Sequence, residues 1–209
     1  MLIAGAKGFA KEILEICHQN NQLENLVFYD DINTDQSILF DKFPILQTIE
    51  AAENYFKTVD PNFTIGIGNP NLRKKLNEKF VNIGGRITST ISKKADIGSY
   101  GITIGRGANI LDGVKISNDV TIGYAPIIYY NSIITHDVDI GDFVEISPDV
   151  KILGRAVIGN FCQLGAGTII LPDIKIGNNV IIGAGTVVTK DLPDNCTAVG
   201  VPSKIIKQN

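Results

Sequence analysis

The chain has 209 residues, of which 44% are hydrophobic and 20% are charged, a composition typical of a soluble globular protein. Its formal net charge of −3 argues against binding to nucleic acid or to an anionic membrane surface, because both need a basic field. No run of about eighteen apolar residues is present, so we expect no membrane-spanning segment.

The cysteines and the N-terminal residues indicate the compartment. Cys17, Cys162 and Cys196 are odd in number and show no CxxC spacing, which predicts reduced, mostly buried thiols without a metal or redox role. Residues 1–5 lead directly into a strand and a turn, without the basic and apolar regions of a signal peptide. We therefore expect a cytoplasmic protein.

The first part of the chain alternates strands and helices. In chain order the predicted elements are a strand at 2–4, a helix ending near 20, a strand at 26–29, a helix around 49–56, a strand at 63–68 and a helix at 70–80. Pro70 suits the first turn of the last helix. This alternation predicts a small parallel sheet, built like half of a dinucleotide-binding fold.

The loop after the first strand suits phosphate binding at a helix N-terminus. Residues 5–10 read GAKGFA, which matches GxxGxA rather than the complete GxGxxG and lacks the GK[ST] of a P-loop. Asp30 and Asp31 follow the second strand, where such folds hold an acidic group for a ribose or base. A solvated turn is the alternative for this acidic pair. Together, the strand, loop and acidic pair favour a nucleotide-containing ligand.

The second part of the chain has an aliphatic residue at every sixth position. The series contains Ile104, Ile110, Ile116, Ile122, Ile128, Ile134, Ile140, Ile146, Ile152, Ile158, Leu164, Ile170, Ile176, Ile182 and Val188. A period of six fits neither a helix nor a simple strand, and it predicts a solenoid whose triangular coils contain eighteen residues each. Glycine directly follows seven of these residues, which suits a corner with unusual backbone dihedrals.

Two features limit the solenoid. One extra residue between Ile97 and Ile104 breaks the six-residue register, and we place the domain boundary near residue 86, between domains at 1–86 and 87–209. After Val188 the repeat stops, and Pro193 and Pro202 predict a tail without further regular coils.

The chain has two histidines, of which His136 is the candidate for catalysis. His18 lies near the end of the first helix and matches no motif, so we interpret it as a helix C-terminal residue. His136 falls at a corner of the solenoid and precedes Asp137, whose carboxylate would orient the ring and raise its basicity. A solvated surface histidine is the alternative interpretation.

Gly154 follows His136 by eighteen residues, which places it one coil further along at the equivalent corner. Its backbone N–H could meet a developing oxyanion beside the base, and glycine carries no side chain to block the approach. Taken alone, it is more simply an ordinary corner glycine.

These motifs together resemble the hexapeptide-repeat sugar acetyltransferases of the sialic acid O-acetyltransferase type. The similarity is greatest to the N-acetyltransferases of nucleotide-linked 4-amino-4,6-dideoxy sugars in bacillosamine-type pathways. It rests on the glycine loop, the acidic pair, His136-Asp137, Gly154 and the ending at residues 199–204. The resemblance implies a Rossmann-like nucleotide-sugar-binding domain followed by a left-handed parallel β-helix. It also implies that the protein forms homotrimers with active sites between subunits.

The resemblance also implies roles for particular residues. His136 matches the general base, Asp137 its acidic neighbour and Gly154 the amide that meets the thioester carbonyl. The residues that match contacts with acetyl-CoA are Glu145, Gly165, Ala166, Gly183 and Ala184. Glu145 stands where relatives often have another histidine. The residues that match the nucleotide-sugar site are Lys7, Gly8, Phe9, Asp30 and Asp31.

The implied reaction moves acetyl from acetyl-CoA to the amine of a UDP- or dTDP-linked 4-amino-4,6-dideoxy sugar. His136 accepts the proton, and no metal is required. One alternative is O-acetylation of a sialic-acid-like sugar by the same base. A second alternative is a non-catalytic solenoid that assembles with other enzymes.

Overall fold

The computed structural model describes residues 1–208, which form two compact units. The first unit is Met1–Thr90 and the second begins at Ile91. The boundary that we predict near residue 86 falls at the last strand of the first unit.

The first unit contains three helices and six strands. In chain order they are β1 (Leu2–Ala4), α1 (Gly8–Gln19), β2 (Val27–Tyr29), β3 (Ile38–Leu39), β4 (Phe43–Leu46), α2 (Ile49–Thr58), β5 (Asn62–Ile65), α3 (Pro70–Asn82) and β6 (Arg86–Ile87). The strands form one sheet in the order β3-β4-β2-β1-β5-β6, in which only β3 and β4 pair antiparallel. Apolar side chains of β1 and β5, such as Leu2 and Phe63, are fully buried against the helices.

The β3–β4 hairpin is absent from the sequence-based prediction. Its turn contains Phe40 and Asp41, both with φ of 52°, so two residues without the usual Asn-Gly signature adopt the left-handed conformation. Pro44 lies within β4, and because proline is disfavoured inside strands, the sequence does not indicate a strand there. The strand that we predict at 63–68 corresponds to β5, which ends earlier than expected, at Ile65.

The second unit is a parallel β-solenoid with three faces. The first face holds β7 (Thr90–Ile91), β10 (Asn109–Ile110), β13 (Ile127–Ile128), β16 (Glu145–Ile146), β19 (Gln163–Leu164), β22 (Ile181–Ile182), β24 (Cys196–Val199) and β25 (Lys204–Gln208). The second face holds β8 (Asp96–Ile97), β11 (Lys115–Ile116), β14 (Ile133–Ile134), β17 (Lys151–Ile152), β20 (Ile169–Ile170) and β23 (Val187–Val188). The third face holds β9 (Thr103–Ile104), β12 (Thr121–Ile122), β15 (Asp139–Ile140), β18 (Val157–Ile158) and β21 (Lys175–Ile176).

The predicted aliphatic series forms the interior of this solenoid. From Ile110 to Val188 every member is at most 3% exposed, and from Ile122 onward each lies above its equivalent eighteen residues earlier, as Ile152 does above Ile134. Each coil encloses three such residues and can bury them only by stacking on its neighbours. The predicted solenoid and its period are therefore confirmed.

The role that we predict for the glycines after the aliphatic residues is wrong. None of the seven has a positive φ; the left-handed residue of each corner comes two positions later, as at Ala125, Phe143 and Phe161. The glycines are needed for close stacking instead. A Cβ on Gly159, for example, would lie 2.6 Å from the carbonyl carbon of Gly177 in the next coil.

The ends of the solenoid are more regular than the sequence suggests. The extra residue between Ile97 and Ile104 makes the first coil longer, but Ile97 still pairs with Ile116 and Ile104 with Ile122. The predicted irregular tail continues the sheet: β24 pairs parallel with β22, and β25 returns antiparallel along β24. The last coil is shorter, since Leu192 pairs with Ile176, sixteen residues earlier, and neither proline ends the sheet.

Replacement of Gly159 tests the stacking constraint. Gly159→Ala should lower the free energy of unfolding by about 1–3 kcal/mol, because the new methyl group meets backbone that cannot move aside. Urea unfolding followed by circular dichroism measures this change. Gly185→Asn is the control, since Gly185 has open space around its Cα and asparagine occupies the equivalent corner position at Asn179. Equal losses in both variants would contradict a steric origin.

Candidate active site

His136 occupies the corner between the second and third faces, two residues after the end of β14. Its side chain is 56% exposed, and its Nδ1 lies 2.6 Å from Oδ2 of Asp137. A carboxylate can only accept a hydrogen bond, so Nδ1 carries the proton in this pair, and Nε2 of the neutral ring keeps its lone pair. The geometry thus provides an oriented imidazole with an open basic nitrogen.

Gly154 lies one coil above His136 and faces its ring. A Cβ on Gly154 would be 2.6 Å from Cε1 and 2.9 Å from Nε2 of His136, so only glycine leaves room for the imidazole in this position. The N–H of Gly154 makes no hydrogen bond within residues 1–208. Pro172 stands one coil above Gly154 and has no side-chain acceptor. In the neighbouring corner column, by contrast, the Asp142 N–H donates to the Asn160 side chain at 2.7 Å.

The structure places four of the predicted acetyl-CoA contacts at a second corner. Gly165 and Ala166, and one coil above them Gly183 and Ala184, lie between the first and second faces. Both alanines are exposed, and the stack is close because the Gly185 N–H donates to the Ala166 carbonyl at 2.8 Å. This column and the His136 column border the same flat face of the solenoid.

Glu145 lies away from the His136 column. It belongs to β16 on the first face, and its Oε2 accepts a hydrogen bond from the Gln163 side chain at 2.9 Å. In a triangular cross-section the first face is opposite the corner that carries His136. One chain therefore does not bring Glu145 and His136 together.

A separate cleft of about 470 Å³ opens in the first unit and contains every residue that we predict for the nucleotide sugar. Lys7, Gly8, Phe9, Asp30 and Asp31 line it together with residues that we did not predict for this site: Tyr29, Ile32, Asn33, Gly66, Gly68, Leu72, Lys75, Leu76 and Lys79. The α3 residues among them follow helical spacing, a signal that could have identified this wall of the cleft.

The glycine loop leaves the N-terminus of α1 open to an anion. Lys7 precedes the helix without a side-chain cap, and no acidic residue occupies the first turn. The first N–H groups of the helix can therefore donate to a phosphate. Gly66 packs closely on Ala10. A Cβ added to Gly66 would lie 2.7 Å from the Cβ of Ala10.

Asp30 and Asp31 both have partners within the chain. Asp30 Oδ1 accepts hydrogen bonds from the backbone N–H groups of Ile32 and Asn33 at 3.1 and 2.9 Å, which shapes the turn. Asp31 Oδ2 accepts from Tyr29 Oη at 2.8 Å and from Lys79 Nζ at 2.7 Å. Partial burial opposes ionisation of Asp31, but the bonds from Lys79 and Tyr29 outweigh it and lower the pKa of this carboxyl group. A direct contact between these carboxylates and a nucleotide stays a prediction.

The remaining candidate groups lie outside these two regions. Cys17, Cys162 and Cys196 are buried and free, and burial raises the pKa of the Cys17 and Cys162 thiols to about 12. Within residues 1–208, His, Cys, Asp and Glu side chains form no group of three that could hold a metal ion. Over the same residues, every helix is too short or too polar to cross a membrane.

Comparison with known proteins gives matches to two separate parts of the chain. Residues 1–80 match the PglD N-terminal domain, and residues 155–190 match the bacterial transferase hexapeptide, six repeats. No curated protein gives a significant match.

Among the similar solved structures, three proteins illustrate a match over almost the whole chain. A mutant of perosamine N-acetyltransferase from Caulobacter crescentus, in complex with CoA and GDP-perosamine, is 28% identical with a TM-score of 0.92 and covers 99% of this chain and 96% of its own. The acetyltransferase domain of PglB from Neisseria gonorrhoeae is 26% identical with a TM-score of 0.88 and covers 98% of both chains. WeeI from Acinetobacter baumannii is 28% identical with a TM-score of 0.90 and also covers 98% of both.

The fold and the comparisons show a left-handed parallel β-helix with hexapeptide repeats similar to those of bacterial transferases. More narrowly, the chain joins this solenoid to a PglD-type N-terminal domain, and the whole arrangement is similar to that of the perosamine N-acetyltransferase and of the acetyltransferase domain of PglB. The resemblance deduced from the sequence is thereby confirmed.

Proposed function

We propose that the protein is an acetyl-CoA-dependent N-acetyltransferase that acts on a nucleotide-linked amino sugar. The observation that carries this proposal is the His136 imidazole, held by Asp137 and facing Gly154 one coil above. The similar structures supply the chemical context, because the Caulobacter enzyme binds CoA and GDP-perosamine. This arrangement of a base and an unpaired amide suits acyl transfer.

Three residues of the chain have separate roles in the proposed reaction. Nε2 of His136 accepts a proton from the attacking amine, and Asp137 stabilises the imidazolium that forms. The Gly154 N–H donates to the oxygen that becomes negative when the amine adds to the thioester carbonyl. Collapse of the tetrahedral species breaks the C–S bond, and coenzyme A leaves as a thiolate.

The cleft of the first unit is the proposed site of the nucleotide. The open N-terminus of α1, with Lys7 beside it, suits the diphosphate. Lys75 is exposed on the same cleft and adds positive charge. We propose a 4-amino-4,6-dideoxy sugar linked to UDP or dTDP, and the GDP-sugar bound by the Caulobacter enzyme makes GDP a necessary third choice in the test.

The proposed assembly is a homotrimer with active sites between subunits. It is supported by the position of Glu145, which lies on the opposite side of the coil from His136. If both residues serve acetyl-CoA, two copies of the chain must supply them. The exposed column of Ala166 and Ala184 provides a surface without bulky side chains for an extended pantetheine arm.

We also propose a cytoplasmic location. The three cysteines are free thiols, which fits a reducing compartment.

A panel of acceptors tests the function. Thiol release from acetyl-CoA is followed with UDP-, dTDP- and GDP-linked 3- and 4-amino-deoxy sugars and with free sialic acid. We expect turnover of one nucleotide-linked 4-amino sugar. Turnover of sialic acid alone would establish O-acetylation instead. If acetyl-CoA fails to bind in calorimetry and no acceptor reacts, the non-catalytic solenoid is the correct interpretation.

His136→Ala tests the general base. The substitution should lower kcat by about 10²–10⁴-fold, which is the usual contribution of a general base, and should leave the melting temperature nearly unchanged because the side chain is half exposed. His18→Ala, which removes the other histidine, should keep wild-type kcat. A near-wild-type rate in His136→Ala would refute the assignment.

Gly154→Ala tests the space above the ring. The added methyl group displaces the imidazole from its position, and we expect kcat to fall ~10–100-fold, because such a misplacement of a catalytic group is costly. Steady-state kinetics on the acceptor identified by the panel measure the loss. Unchanged kcat would show that the ring position seen here is not required for transfer.

A further inference from the structure

Three charged residues form a column beside His136. Asp137, Arg155 and Asp173 occupy the same corner position in successive coils, eighteen residues apart, with φ of 58°, 62° and 66°. Their side chains are between 53% and 64% exposed. Because coils are spaced by about 4.8 Å, Arg155 stands one coil from each of the two carboxylates.

Arg155 is paired with the upper carboxylate only. Its Nε donates to Oδ1 of Asp173 at 2.6 Å, and its Nη2 donates to Oδ2 at 2.8 Å. These two bonds raise the pKa of Arg155, and the charge of Asp137 adds a smaller contribution in the same direction. Asp137, the lower carboxylate, therefore affects the Arg155 guanidinium only through its charge. Its Oδ2 is hydrogen-bonded to His136 instead.

A guanidinium is a strong competitor for a carboxylate. It offers two parallel N–H donors to the two oxygens, whereas an imidazole offers one. If Arg155 turned to Asp137, the carboxylate would be neutralised and drawn away from Nδ1 of His136. The ring would then lose the partner that fixes its orientation.

We propose that Asp173 is a positioning residue that holds Arg155 away from Asp137 and so reserves Asp137 for His136. The inference rests on the proposed function, since it concerns the base of that reaction. Asp173 acts through Arg155, and in this structure it lies two coils from His136.

The other charged groups around His136 do not replace Asp137 as a partner for Arg155. Asp119, one coil below Asp137, has its carboxylate against Gly101. Asp96 and Lys115 line the groove on the second face that His136 borders. Asp139 is exposed on the third face, past the corner. Asp137 is thus the carboxylate at the position that mirrors Asp173.

The test is a titration of the two imidazoles by NMR in wild type and Asp173→Asn. Asparagine already occupies equivalent left-handed corners at Asn131 and Asn179, so the variant should fold. We expect the midpoint of the His136 curve to move to lower pH, because pairing with Arg155 neutralises the carboxylate beside the ring. The His18 curve is the internal reference and should not move.

Kinetics and rescue complete the design. In Asp173→Asn, kcat on the alkaline plateau should fall about tenfold, with the KM for acetyl-CoA within about twofold of wild type. The double variant Arg155→Gln/Asp173→Asn and the conservative Asp173→Glu should both restore the wild-type His136 curve and kcat. Lys94→Gln, which breaks the ion pair of Lys94 with Asp112 between two other coils, is the matched control.

Two results would overturn the proposal. One is an unchanged His136 curve in Asp173→Asn, and the other is a shift that persists in the double variant. The NMR readout needs no turnover, so a wild-type protein that acetylates no acceptor would refute the proposed function while the titration still decides the role of Asp173.

Discussion

The solenoid depends on one constraint, the stacking of each coil on the next in a fixed register of eighteen residues. Backbone N–H groups donate to carbonyls of the neighbouring coil around the whole perimeter, as Leu153 does to Ile170 at 3.0 Å. The same register leaves no room for a side chain after many of the buried aliphatic residues, which is why glycine is so frequent there. It also converts sequence spacing into spatial contact, so that Gly154 faces His136.

This constraint explains how much the sequence reveals. The six-residue period predicts the solenoid, and the eighteen-residue spacing predicts that Gly154 lies beside His136. Periodicity does not give side-chain direction, so the pairing of Arg155 with Asp173 rather than Asp137 could not be foreseen. The hairpin at Phe40–Asp41 was missed for a different reason, because its turn uses residues that rarely adopt a left-handed conformation.

The two units form their sites by different means. In the first unit, loops at one edge of a parallel sheet converge on a cleft, and internal pairs such as Asp31–Lys79 shape its wall. Sequence motifs identified the loops but not Lys79, whose contribution depends on the packing of α3. In the second unit the groups stand in columns along corners. A column needs no loop to position it, since the coils below and above fix each residue.

The longer first coil has a consequence for how such a solenoid can vary. One additional residue is absorbed there while Ile97 and Ile104 keep their partners on two faces. Single insertions can therefore enlarge a corner without disturbing the rest of the cross-section. Lengthening the prism, by contrast, requires a whole turn of chain, in increments of about 4.8 Å. The length of solenoid above His136 that is available to an elongated ligand therefore changes only in whole turns. Variants of this chain could match a longer or shorter ligand only by gaining or losing complete turns.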